Sequence, residues 1–307
     1  PGQGRAAGSI VATLVQLRRL QRQHPGQPLE DVPEAQPLLT ALAALPHGVI
    51  TIADSREVAI RRCRLEARRP GAEANGVLIT GACKAIDVTD CRIVAATGIA
   101  AAPYAPYLAY RFLIAFPRAG LSIEGLDLRG NEITATGAAS TGIPIADGVL
   151  SSVQIRDNQI AGHTVGILID DAAESTRDVS VDRLVIADNR LVAAAAGIQI
   201  NGDGIDVTDN EIAMAERRDV LVLAGVAVAG HAVRVAGSWI VLPPRSAVSP
   251  LGVCAGVVIG DGLDDGDNTT RAVWDVEVTG NRVDGPGDDG YWAERTAVDF
   301  VIGHARR

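Results

Sequence analysis

One eight-residue phrase recurs eight times along this chain, and a period of that kind constrains the fold before composition is consulted. The copies run Val58 to Leu65, Ile86 to Ile93, Leu126 to Ile133, Val153 to Ile160, Leu184 to Leu191, Ile205 to Ile212, Val233 to Ile240 and Val276 to Val283. Positions one, three and eight are always Val, Ile or Leu. Position five is Asp or Gly in seven copies, and position six is Asn in five: Asn131, Asn158, Asn189, Asn210 and Asn281. Cys63 and Cys91 take the Asn position in the first two copies.

Apolar residues at positions one and three alternate with period two, the signature of a strand with one buried face. The Asp-Asn or Gly-Asn pair then interrupts the strand. Asn tolerates the left-handed backbone region, so the Asn is expected to turn the chain, and in stacked coils the Asn residues are expected to share side-chain hydrogen bonds along a ladder. The apolar residue at position eight re-enters the core on a second strand. A Gly-φ-x-φ phrase (φ, an aliphatic residue) supplies a third strand, as in Gly142-Ile-Pro-Ile, Gly166-Ile-Leu-Ile, Gly197-Ile-Gln-Ile, Gly225-Val-Ala-Val and Gly256-Val-Val-Ile. Successive octads start 28, 40, 27, 31, 21, 28 and 43 residues apart, so the shortest value approximates a bare coil and the longer ones carry loops.

These features predict an all-β chain, a single-stranded right-handed parallel β-helix of about eight to nine coils with an N-terminal α-helical cap. The division is residues 1–47 for the cap and 48–307 for the solenoid. Residues 9–22 and 33–45 are the expected cap helices, with Leu38, Leu42 and Leu45 facing inward on the second. A sandwich of hairpins would not place Asn at a fixed point of every phrase.

The core is aliphatic, since 47% of 307 residues are hydrophobic and only ten are aromatic. A net charge of −9 argues against nucleic acid as a partner. No apolar run of membrane length is present, so no membrane partner is expected. The four cysteines match neither a disulfide framework nor a zinc spacing. The chain opens on Pro1 without Met, which leads to the expectation of processing from, or continuation into, a longer protein.

The Val-x-Ile-x-Asp-Asn-x-Ile phrase and the Gly-Ile-x-Ile strand resemble the pectin-lyase-like right-handed parallel β-helix superfamily, with its carbohydrate-binding and sugar-hydrolase β-helix repeats. The resemblance spans about residues 31 to 302. It implies that any substrate lies along the stacked Gly-φ-x-φ strands. It says little about activity, because the superfold hosts lyases, hydrolases, adhesins and inert shafts.

Most outward positions on those strands are small or apolar. One polar island stands out: Asp170 and Asp171 on one coil, with Gln199, Asn201 and Asp203 on the next. Asp170, Asp171 and Asp203 are the candidate catalytic carboxylates, because paired carboxylates about 5 to 9.5 Å apart suit glycoside hydrolysis. Gln199 and Asn201 are candidate ligand contacts. Polygalacturonases order Asn-x-Asp before Asp-Asp and follow with Gly-His-Gly; here the order is reversed and His231 lies in Ala-Gly-His-Ala.

Five aromatics fall between residues 104 and 116 in an insertion, which either folds over the apolar strand face as a satellite core, offers Tyr104, Tyr107 and Tyr110 for sugar stacking, or contacts another subunit. Tyr291 and Trp292 are read as a second aromatic insertion and as candidate ligand contacts. Asp261, Asp264, Asp265 and Asp267 form an acidic loop that would take calcium if any cation, though its spacing fits no standard calcium motif, and no other cofactor is expected. His163, His231 and His304 are read as ordinary turn residues. The expectation is a non-catalytic structural or binding module of a larger bacterial or phage surface assembly, extracellular or surface-associated. It would contact carbohydrate or a protein partner, with a homo-oligomer as one option. The alternative is a polysaccharide lyase or glycoside hydrolase acting on an acidic polysaccharide.

Overall fold

A computed structural model describes residues 47–67, 74–102, 122–137, 140–146, 149–170, 182–220, 222–244, 253–260, 275–285, 289–293 and 300–302. Residues 16, 19–20, 23, 32–37, 246 and 273 are also described. The protein is all-β, and every strand pairing among these residues is parallel. Each octad contributes its first half to a nine-stranded sheet that runs from Arg56–Arg61 through Val149–Arg156 to Phe300–Ile302, here called the octad ladder. The residues after the Asn position form a second ladder, from Arg64–Glu66 to Arg282–Asp284, the turn-exit ladder. The Gly-φ-x-φ strands form a third, the glycine ladder, from His47–Ala53 to Asp289–Ala293. In two coils one unbroken strand, Gln159–Asp170 or Arg190–Asn201, serves both of the latter ladders and joins them into one 15-stranded sheet.

The core forms where octad positions one, three and eight of every coil meet the inward residues of the glycine ladder. Ile86, Val88 and Ile93 in one coil and Ile205, Val207 and Ile212 in another are at most 1% exposed. A fully buried side chain of this size contributes about 1.5–3 kcal/mol, and stacking repeats that gain in every coil.

The turn works differently from its sequence reading. The left-handed residue is position five, not the Asn: Asp90, Asp157, Asp188 and Asp209 have φ of 53–56°, and Gly130, Gly237 and Gly280 take the same place. Arg62 does so in the first copy at φ 52°. That leaves the Asn free to point inward. Asn131, Asn158, Asn189, Asn210 and Asn281 are at most 1% exposed. The backbone N–H groups of Cys91, Asn131, Asn158 and Asn189 each donate to the Oδ1 of the next rung at 3.0 Å. Each Asn Nδ2 also donates to a carbonyl of the preceding coil, as Asn158 does to Leu128 O at 2.8 Å. Ser238 and Cys91 substitute at their own rungs, accepting from the N–H groups of Asn210 and Cys63. The side chain thereby pairs buried backbone groups that the sharp turn strips of partners.

A second left-handed position precedes each octad, and sequence reading gave no sign of it. Ala85, Ser152, Arg183 and Ala232 occupy it with φ of 53–63°. Within the expected cap, residues 1–47, the described residues 16, 19, 20, 23, 36 and 37 are α-helical, though no complete helix is delineated among the described residues. Pro33–Ala35 is a single 3-10 turn where the second helix was expected to begin, its start set by Pro33 at the first position. Of the first expected helix only residues 16, 19 and 20 are described, each helical, and Leu38, Leu42 and Leu45 lie outside the described residues.

Candidate functional site

The outward face of the glycine ladder is the surface to which the sequence points. Each ladder strand begins with a glycine held by close packing. A Cβ on Gly142 would lie 2.5 Å from Gly166 O and 2.5 Å from Ile160 Cγ2, and Gly98, Gly166, Gly197 and Gly225 repeat the pattern. The position-eight side chain of the octad therefore seats directly on this glycine, fixing the two ladders together.

Two residues further on, the outward row runs Thr51, Leu78, Ala100, Pro144, Leu168, Gln199, Ala227 and Val258 in register. Thr51 at the first rung is partly exposed, but the row is closed on both sides of its middle: Leu78 is 2% and Ala100 7% exposed, and Ala227 and Val258 are fully buried with Ala224 and Ala255 in a satellite apolar cluster. Pro144, Leu168 and Gln199 in the middle are partly exposed, as is Asn201 beside them. The open part of the face is thus a short central stretch that turns from apolar to polar along the axis.

Backbone pairing sets Asp170 beside Asn201 and Leu168 beside Gln199. The Asp170 side chain and all of Asp171 lie outside the described residues. Asp203 turns the corner that follows. Its Oδ1 accepts the backbone N–H of His231 at 2.9 Å and lies 2.5 Å from His231 Nδ1. Both side chains are about one-third exposed, Asp203 at 34% and His231 at 37%. The same corner elsewhere shows what the carboxylate does for the fold: Asp54 Oδ1 accepts the N–H of Ala82 at 3.0 Å. Each Asp clamps the residue after a glycine, Gly81 or Gly230, that packs tightly against the preceding coil. Only at Asp203 does the clamped residue bring an imidazole.

His231 is therefore more than a turn residue. Held through Nδ1 by a carboxylate, it presents an oriented ring at the end of the polar stretch. Sequence reading set Asp203 and His231 side by side only against the polygalacturonase order, which they do not follow; the fixed corner position, one coil apart, was the signal linking them. His163 also departs from its reading. It sits in a bulge beside the left-handed Gly162 (φ 78°), is fully buried, and neither ring nitrogen has a hydrogen-bond partner. Burial pushes its pKa from 6.5 down to about 4.

Tyr291 and Trp292 are not in an insertion. They belong to Asp289–Ala293, the last strand of the glycine ladder, where they pair with Val257 and Val258. Similarly, Phe300–Ile302 pairs with Val276–Val278 and extends the octad ladder. Tyr104, Tyr107 and Tyr110, and the acidic loop with Asp261, Asp264, Asp265 and Asp267, lie outside the described residues. No group of three or more metal-ligating side chains occurs among the described residues. No helix among them is long and apolar enough to cross a membrane.

This arrangement defines an all-β protein with long parallel sheets. No protein-family model matches the chain, and no curated protein matches it. Among solved structures it is similar to an alginate lyase from Paenibacillus sp. str. FPU-7, at 13% identity and a TM-score of 0.37, over 85% of this chain and 99% of that one.

Proposed function

We propose that this protein is a right-handed parallel β-helix acting as a rigid binding module of a larger bacterial or phage surface assembly, its ligand a carbohydrate chain. The right hand follows from the strong preference of parallel strand crossovers. Residues 48–307 form the solenoid, and residues 1–47 cover its first coil, a role supported by the complete burial of Val32 and Ala35. The observation that carries the binding reading is the central stretch of the glycine ladder, partly exposed between buried flanks. There Gln199, Asn201, Asp203 and His231 offer donors and acceptors along the solenoid axis, as a hydroxyl-rich polymer requires.

Titration calorimetry against acidic and neutral polysaccharides tests this. Gln199→Ala and Asn201→Ala are expected to weaken binding about tenfold each, the loss of one or two hydrogen bonds. Unchanged affinity in both variants would place the ligand elsewhere.

The Asp203–His231 contact favours a second reading, a lyase or hydrolase in which His231 exchanges a proton with the substrate while Asp203 orients the ring. New reducing ends or unsaturated products that vanish in His231→Gln would establish it. Turnover that survives His231→Gln and Asp203→Asn would remove it.

A further inference from the structure

The turn-exit ladder presents an outward face that the binding reading does not use. One of its rows is octad position seven: Arg64, Arg92, Glu132, Gln159, Arg190, Glu211, then Trp239 and Arg282, each stacked on the next. The row beside it is small and mostly apolar in its middle, with Val94, Thr134, Ala161, Val192, Ala213 and Val241 in register between Glu66 and Asp284 at its ends. The face is open: Trp239 is 42% exposed and Val192 41%. Within the chain Arg92 pairs with Glu132 at 3.5 Å and Arg190 with Glu211 at 2.6 Å.

The two rungs on either side of Gln159 are opposite in charge: reading outward from it, Glu132 balances Arg190 and Arg92 balances Glu211, then Arg64 faces the uncharged Trp239 and Arg282 has no counterpart. We propose that this face is a contact between two copies of the chain, related by a two-fold axis along the strand direction through Gln159. Such an axis lays each row on its own copy with the rungs reversed. Each Arg92–Glu132 pair then meets a Glu211–Arg190 pair of the other copy, opposite charge on opposite charge, and Arg64 comes beside Trp239, whose ring already has Arg282 of its own chain 5.4 Å from its centroid.

Neighbouring registers are excluded by repulsion. Moving the axis to Arg190 or to Glu132 sets each against itself, and half a rung of shift sets Glu132 against Glu211. The same operation on the octad ladder, centred on Gln154, opposes Asp87 to Asp206, so the property belongs to this face. The small residues of the second row let two sheets approach to about 10 Å, the usual stacking distance. The seven rungs that overlap about this axis, by four residues, give about 34 Å by 13 Å, on the order of 450 Å² per copy. That lies at the low end for a specific interface and implies a weak, salt-sensitive dimer.

Sedimentation velocity from about 10 µM to about 1 mM covers the affinity range of such interfaces. A monomer–dimer equilibrium is expected, weakening several-fold as salt is raised. Arg190→Glu and Glu132→Arg, made singly, each weaken the dimer about tenfold or more, and together restore it, because the swapped charges again face each other across the axis. A strict monomer, a dimer unmoved by the single swaps, or a double swap that stays monomeric would each overturn the proposal. Retention of a polysaccharide by this face in the monomer would do so as well. Unchanged thermal melting of the variants shows that the exposed swaps leave the fold intact.

Discussion

His163 lies in a row whose next members are Ala193 and Met214, both nearly buried, so an imidazole occupies a place built for apolar side chains. Folded, the ring is held neutral with a pKa of about 4, against 6.5 for the free side chain. Above pH 6.5 neither state binds the proton and the histidine has no effect on pH dependence. Between pH 6.5 and 4 the unfolded chain binds it and the folded chain does not, so stability falls as pH falls. The loss is about 3 kcal/mol over that window. Urea denaturation at pH 7 and pH 4.5 should show it, and His163→Met, matching Met214 two rungs along, should remove most of it. Equal pH dependence in the variant would mean that the drop comes from other groups. The octad's aliphatic positions could be read from sequence because burial at period two leaves its mark on residue type. The stacking of the Asn side chains and their hydrogen bonds along the ladder were legible too, from their fixed place in the phrase. The left-handed residue was not, because Asp and Asn both tolerate that region and only the φ of Asp157 and its equivalents separates them.

At the scale of elements, the joint between the turn-exit and glycine ladders is a row of methyl-to-glycine contacts. Gly142→Ala would force its new methyl onto Gly166 O and Ile160, both immobile in the stack. It is expected to cost more than about 2 kcal/mol, in the range of overpacked cores. Gly137, with nothing within 4 Å, is the control, and Gly137→Ala should leave stability within about 0.5 kcal/mol. A comparison of denaturation midpoints decides it, and equal midpoints would mean that the joint gives way. Tyr291 and Trp292 were misread at this scale because their strand, Asp289-Gly-Tyr-Trp-Ala293, keeps the glycine but replaces aliphatic residues with aromatics. The charge row was missed for another reason. Position seven varies from copy to copy, and its order acquires meaning only once the rungs are stacked.

Over the whole molecule, the Asn side chains tie each coil to the next, so stability should follow the ladder rather than the individual strands. The Asn158 and Asn189 amides donate at 3.0 Å within the run of amides, whereas the Cys63 amide meets only the Cys91 sulfur at 3.5 Å. Hydrogen exchange at Cys63 is therefore expected to run at least about tenfold faster than at Asn158. Uniform exchange along the ladder would contradict a gradient of this kind. The repeat made the long parallel sheets legible from sequence alone. The insertions at the corners obey no period, and so neither Tyr104, Tyr107 and Tyr110 nor the acidic loop can be placed from it.

The shortest spacing, 21 residues from Leu184 to Ile205, has a consequence for size. Residues 189–209 contain one Asn rung, one glycine joint and one strand of each ladder, with no insertion. Repeated in tandem, the segment would meet its own copy as it now meets its neighbours and advance the axis by about 4.8 Å. The reach of this protein is thus a discrete quantity, adjustable in whole coils and in no smaller step.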